Sequence, residues 1–135
     1  MIRVVLDTSV LVSAVISTNG PYAELDFCIS KEVRPYVTEA LLEEYSAVFN
    51  YERLQYLDRR RIGLLRSLLD RVAIKVKPQG RLKISSHEED NRVYECAVAA
   101  KGTYIVTENR KHFKEPYKMT KIINARQLLA VLKKS

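Results

Sequence analysis

The strongest constraint on this chain is the alternation of short β-branched runs with helical patterns from one end to the other. Ile2 to Leu6 is a compact, mostly apolar run that fits a strand buried on both faces. Asp7 ends it, and Thr8 to Val12 begins a helical pattern. After Asn19-Gly20-Pro21, a second helix is expected through Ala23, Leu25, Phe27, Cys28 and Ile29. Arg34 to Val37 reads as strand two, and Thr38 as the N-cap of a helix reaching Phe49. A charged helix follows Asp58, with Ile62, Leu64, Leu65, Leu68, Leu69 and Val72 as its apolar side. Val72 to Val76 is expected as strand three, and Ser86 opens a helix that Gly102 ends. Thr103 to Thr107 and Thr120 to Ile123 are strands four and five, and Asn124 caps a last helix.

Such a series implies parallel βαβ units with right-handed crossovers. The expected fold is a three-layer α/β/α domain around a central, mainly parallel, five-stranded twisted sheet. At 135 residues it is read as a single domain, 1–135. Ligands of open α/β sheets sit beyond the carboxyl ends of the strands, near a topological switch point. Function is therefore sought at the residues that follow the strands.

Composition narrows the class. No apolar run is long enough for a transmembrane helix, and the N-terminus lacks the pattern of a secretory signal. The two cysteines, Cys28 and Cys96, lie in apolar helical patterns without metal-ligand spacing, as core residues do. A reducing, cytoplasmic setting with no membrane contact is the expectation. The net charge of +7 favours polyanions, because neutralised phosphates release condensed counterions.

Three acids stand out against this basic background. Asp7 follows strand one directly, either as an N-cap or as a carboxylate projecting into the crevice. Glu44 lies at the rim of the stripe formed by Leu41, Leu42, Tyr45, Val48 and Phe49, whereas Glu43 faces solvent. A rim carboxylate suits a ligand or a half-buried ion pair equally well. In His87-Glu88-Glu89-Asp90, Ser86 and Glu89 match a capping box, which leaves Asp90 on the inward face of its helix. A carboxylate there needs a cation or a donor to offset its desolvation. Together the three acids describe an all-oxygen site suited to Mg²⁺ or Mn²⁺. His87 and His112 fall in no metal-binding motif, and no phosphate-loop signature occurs.

In these segments the chain resembles the PIN domain family, in its branch of VapC-like toxins of toxin–antitoxin systems. The matching stretches are Val4 to Ala14, Leu41 to Tyr45, Asp90 to Ala97 and Tyr104 to Phe113, in family order. The resemblance implies an acidic pocket that binds Mg²⁺ or Mn²⁺ and an endoribonuclease that hydrolyses RNA phosphodiesters. Asp7, Glu44 and Asp90 match the family's acidic positions as catalytic and metal-binding residues, with Asn109 as a further metal ligand. Thr8, Ser9, Thr107, Arg110 and Lys111 would surround the substrate, with Lys114 and Arg59-Arg60-Arg61 as further basic candidates. Family likeness also implies a small antitoxin partner and a homodimer or higher even oligomer. The chain departs from the pattern where Asn109, His112 and His87 replace acids frequent in the family. That departure keeps a second reading open, a catalytically weak PIN module that binds RNA or a protein partner without cleavage. A phosphatase or receiver-like domain is disfavoured, since no Asp-x-Asp follows strand one.

Overall fold

The computed structural model describes residues 1–17, 31–101, 104–109, 111–113 and 117–133. The expected helix through Cys28, the Gly102 helix end, Arg110 and Lys114 lie outside the described residues. The described elements are β1 (Ile2–Leu6), α1 (Thr8–Ile16), β2 (Val33–Val37), α2 (Glu39–Phe49), a 3₁₀ turn (Glu52–Leu54), α3 (Arg59–Val72), β3 (Ile74–Lys75), α4 (Glu88–Ala100), β4 (Tyr104–Val106), β5 (Lys121–Ile123) and α5 (Ala125–Lys133).

The five strands form one sheet in the order β3-β2-β1-β4-β5, and every pairing is parallel. This is the α/β architecture that the strand–helix alternation predicts. Val4, Val5 and Leu6 of β1 and Ile105 and Val106 of β4 are almost wholly buried, as strands covered on both faces must be. Helix α4 packs on β1, β2 and β4, while α3 packs on β2 and α1. No described helix is long and apolar enough to cross a membrane.

The chain runs outward from β1 to β3 and then returns to the other side of β1 as β4. The switch point therefore lies between β1 and β4. Their register pairs Leu6 with Val106, so Asp7 and Thr107 emerge side by side at the carboxyl ends. The Asp7 amide donates to the Val106 carbonyl (3.0 Å), and the Thr107 amide to that of Ile123 (2.9 Å). Both residues are thus fixed by the sheet itself.

Local signals explain most helix starts. The Thr38 hydroxyl accepts from the Leu41 amide at 3.1 Å, capping α2, and Asp58 accepts from the amides of Arg60 and Arg61. Asn124 and Gln127 exchange side-chain-to-amide bonds, both 2.8 Å, in a reciprocal cap of α5. Three expectations need correction. The capping box of Ser86 and Glu89 does not form: α4 starts at Glu88, His87 sits at its N-cap, and no side chain caps it. Strand three is shorter than Val72 to Val76, because α3 continues through Val72. Leu64 is 61% exposed, since the buried face of α3 follows Ile62, Leu65 and Leu69 and turns Leu64 away.

Candidate functional site

A cleft of about 460 Å³ opens at the β1–β4 switch point, and Asp7, Thr8, Ser9, Glu44, Glu89, Asp90, Asn109 and His112 line it. The three acids singled out in the sequence thus face one space, although they come from β1, α2 and α4. A second hollow between α2 and α3, lined by Leu11, Leu42, Phe49 and Leu69, is mainly apolar and holds none of these groups.

Asp7 occupies the N-cap position of α1, yet its side chain caps nothing. Its Oδ2 instead accepts from the hydroxyls of Ser9 (2.7 Å) and Thr107 (2.8 Å). Those hydroxyls are themselves held, Ser9 by the Glu108 amide at 3.1 Å and Thr107 by the Asn109 amide at 2.9 Å. The result is a buried carboxylate in a preset orientation. Ser9 and Thr107, expected around the substrate, thus touch Asp7 directly. Thr8 lines the cleft wall.

Glu44 is set by its neighbour. Tyr45 is buried, and its hydroxyl donates to the backbone carbonyl of Leu6, tying α2 to the end of β1. Burial pushes the Tyr45 phenol well above its ordinary value, with Cys96 and Asp7 adding to the effect. One residue before Tyr45, Glu44 is half-buried at the cleft and has no hydrogen-bond partner among the described residues. Its carboxyl is pushed up by burial first, then by the charges of Glu89 and Asp7.

Asp90 is the most deeply buried of the three. It is 4% exposed in the first turn of α4, and its Oδ2 has no hydrogen-bond partner. That atom lies 3.1 Å from Nδ1 of His112, close enough to attract an imidazolium but outside hydrogen-bonding geometry. Burial and the nearby Asp7 charge raise the Asp90 carboxyl to about 6, against an opposing pull from His112. The adjacent Asn91 fixes the start of α4. Its Oδ1 accepts from the Ile84 and Ser85 amides, while its Nδ2 donates to the Ser85 carbonyl and to Glu88.

His87 and His112 fall in no motif, but they stack with ring centroids 4.1 Å apart. The cause is tertiary. Phe113 is buried against the Tyr94 ring of α4, which draws the preceding His112 to the mouth of that helix. Asn109 also faces the cleft, with its amide nitrogen 3.4 Å from His112 Nδ1.

The basic candidates divide differently from the sequence expectation. Lys111 is exposed and borders a neighbouring hollow with His87 and His112, not the Asp7 cleft. Arg59 and Arg61 are structural: Arg59 donates to the Phe49 and Leu54 carbonyls, and Arg61 to those of Ala14 and Ser17. Arg53, in the 3₁₀ turn, is the arginine that lines the cleft among the described residues, together with Tyr51. Neither was legible as a site residue, because no motif or helical stripe contains them. Cys96 is a free, buried thiol that burial pushes up to about 12, as befits a core residue.

Asp7, Glu44, Asp90, Asn109 and His112 are side chains of the kind that bind cations, and all face the same cleft. As they stand, no three His, Cys, Asp or Glu side chains among the described residues are close enough together to hold an ion.

A parallel sheet in 3-2-1-4-5 order with acids at its switch point defines a class of doubly wound domains, and the sequence assigns the member. The model of the PIN domain family matches residues 3–111, and the chain belongs to that family. The uncharacterized protein MJ1680 of Methanocaldococcus jannaschii is 28% identical over 107 residues, covering 77% of this chain and 69% of that protein. The fold is shared with a chain in the crystal structure of VapBC2 from Rickettsia felis bound to a DNA fragment from their promoter. The TM-score is 0.61 at 19% identity, over 91% of this chain and 98% of that one. A chain of DNA-bound VapBC from Salmonella typhimurium matches with a TM-score of 0.59 at 14% identity, over 93% and 99% of the two chains.

Proposed function

We propose that this PIN domain is a divalent-metal-dependent endoribonuclease of the VapC toxin type, with Asp7, Glu44 and Asp90 as its catalytic and metal-binding acids. The observation that carries the proposal is the buried, unpartnered Oδ2 of Asp90, facing the cleft that Asp7 and Glu44 also face. A buried carboxylate without a donor is costly unless a cation is to be received there. The oxygen-rich set suits Mg²⁺ or Mn²⁺, with Asn109 as a neutral oxygen donor. Binding requires Glu44 to close in, and it is free of other hydrogen bonds among the described residues. A bound ion supplies Lewis acidity, polarising a phosphodiester and acidifying a water molecule.

The chain's own residues do the rest. Ser9 and Thr107 hold Asp7 Oδ2 in place, so the ligand needs little reorganisation on binding. One of the three acids takes up the proton of the attacking water. The basic excess of the chain draws the polyanion toward the cleft. An RNA substrate fits a cytoplasmic protein, and a small antitoxin is the proposed partner, by analogy with the VapBC complexes of like fold. A homodimer or higher even oligomer follows from the same analogy.

The test is incubation of varied RNA and DNA oligonucleotides with wild type and Asp7→Asn in Mg²⁺, Mn²⁺ or EDTA. Metal-dependent RNA cleavage that Asp7→Asn abolishes is the expected outcome. Cleavage that survives the substitution overturns the site. A second reading, RNA binding with little or no cleavage, draws on His112 beside Asp90 and uncharged Asn109. Binding without cleavage across the oligonucleotides would establish it.

A further inference from the structure

Three donor groups converge at the mouth of α4. Asp90 Oδ2 and His112 Nδ1 lie 3.1 Å apart, and the Asn109 amide lies 3.4 Å from the same ring nitrogen. All three residues line the Asp7 cleft. Oδ2 has no hydrogen-bond partner, so the carboxylate and the imidazole do not satisfy each other despite their closeness. Two groups that bind one ion at about 2.1 Å, at a right angle, stand roughly 3 Å apart. Asp90 and His112 already have that spacing.

The arrangement is held from several sides. The His112 amide donates to the Asn109 carbonyl at 3.0 Å, so these two donors share one turn. Phe113 anchors that turn against Tyr94, with ring centroids 5.3 Å apart. His87 stacks on the His112 ring at 4.1 Å, with 19° between the planes, and restrains its rotation. Across the gap, Asn91 fixes the first turn of α4, and Asp90 with it. A half-turn of the exposed Asn109 amide exchanges Nδ2 for Oδ1 and supplies a third, neutral donor.

We infer that His112 coordinates the ion of this cleft through Nδ1, beside Asp90 and Asn109, and so makes the site prefer Mn²⁺ or Co²⁺ to Mg²⁺. The inference rests on the metal site of the nuclease reading above and adds a nitrogen ligand to its oxygen set. Mg²⁺ is bound by oxygen donors and retains its water, whereas transition ions accept imidazole more readily. Coordination through Nδ1 uses the neutral tautomer that carries its proton on Nε2. His87 is a positioning residue and not a ligand. Ring lone pairs lie in the ring plane, and those of two nearly parallel rings 4.1 Å apart do not meet at one ion.

The test is titration of the metal-free protein with Mn²⁺, Co²⁺ and Mg²⁺, with electron spin echo spectroscopy of the bound Mn²⁺. Wild type is expected to bind Mn²⁺ and Co²⁺ more tightly than Mg²⁺ and to show the modulation of a directly bound imidazole nitrogen. His112→Gln loses that modulation and weakens Mn²⁺ binding by roughly tenfold or more, while Mg²⁺ binding changes little. His87→Ala keeps the nitrogen signal. Bound Mn²⁺ without nitrogen modulation in wild type, a reading that needs no variant to fold, overturns the inference and leaves an all-oxygen nuclease site intact. Modulation that survives His112→Gln overturns it as well. Failure of wild type to bind any of the three ions overturns both this inference and the metal-dependent nuclease reading.

Discussion

Replacing Asp90 by asparagine should make the metal-free protein more stable at neutral pH, although it removes a residue of the proposed site. The argument starts from the native carboxyl, raised from 3.8 to about 6 by burial and by the Asp7 charge. The unfolded chain holds that proton less tightly than the native one. Stability contributed by the protonated form is therefore present near pH 4, lost as pH rises toward 6, and absent above it. Over that interval the penalty approaches about 3 kcal/mol, at 1.36 kcal/mol for each pH unit. The side chain is only 5% exposed, so little of this is screened by solvent. Asparagine has nearly the same shape and no charge, and its amide can donate to His112 Nδ1 where Oδ2 now sits unpaired. Some burial cost of the amide remains, which leaves a gain of about 1–3 kcal/mol at pH 7.5. For a domain of this size that corresponds to roughly 4–12 °C in melting temperature. Thermal unfolding followed by circular dichroism in EDTA, at pH 7.5 and at pH 4.5, measures it. The gain should be present at pH 7.5 and nearly absent at pH 4.5. An Asp90→Asn protein that melts lower than wild type at pH 7.5 would refute the reasoning, because the carboxylate would then be a stabilising partner of His112.

Thr107→Val removes one of the two donors to Asp7 Oδ2 while conserving volume in a fully buried position; RNA cleavage should fall by roughly 10–100-fold, read as a rate under single-turnover conditions. Arg59→Ala should lower stability by about 2–3 kcal/mol in urea unfolding, since two carbonyls lose a charged donor, and should leave the salt dependence of RNA binding unchanged. His112→Asp replaces a nitrogen donor beside Asp90 by an oxygen donor and should raise the affinity for Mg²⁺ relative to Mn²⁺ in titration calorimetry; an unchanged ratio would place His112 outside the metal's coordination.

The parts of the fold that were legible are those that local chemistry decides. β1 and β4 declare themselves by β-branched runs buried on both faces, and Thr38 and Asn124 announce the helices they cap. The position of Asp7 follows from the end of β1, and that of Glu44 from its place on the α2 stripe. What was not legible needed tertiary knowledge. His87 and His112 are stacked only because Phe113 docks on Tyr94. Arg59 to Arg61 read as a basic patch, yet Arg61 reaches the Ala14 and Ser17 carbonyls far away in the chain. The Ser86–Glu89 pattern resembled a cap, but the chain enters α4 one residue later. Glu89 therefore faces the cleft, where it raises both Glu44 and Asp90.

The two buried acids at the centre of the cleft are treated differently by the protein around them, and the difference bears on function. Asp7 receives two hydroxyl donors on one oxygen, each hydroxyl being fixed in turn by a backbone amide. Such a network stabilises the carboxylate and sets its direction. Asp90, just as deeply buried, has an oxygen with no hydrogen bond and like charges close by. Had the fold needed only a neutral side chain there, asparagine would serve at lower cost, as it does at Asn91, where every polar atom is bonded. An unsatisfied carboxylate beside a well-held one is an arrangement that a positive charge completes. Among the described residues, the arginine or lysine that lines the cleft is Arg53, and it makes no ion pair with Asp90. If the substrate is RNA as proposed, these acids would repel the phosphates that the basic surface attracts. On the proposed reading, a divalent ion held by these acids would offset the Asp90 desolvation and supply the missing positive charge.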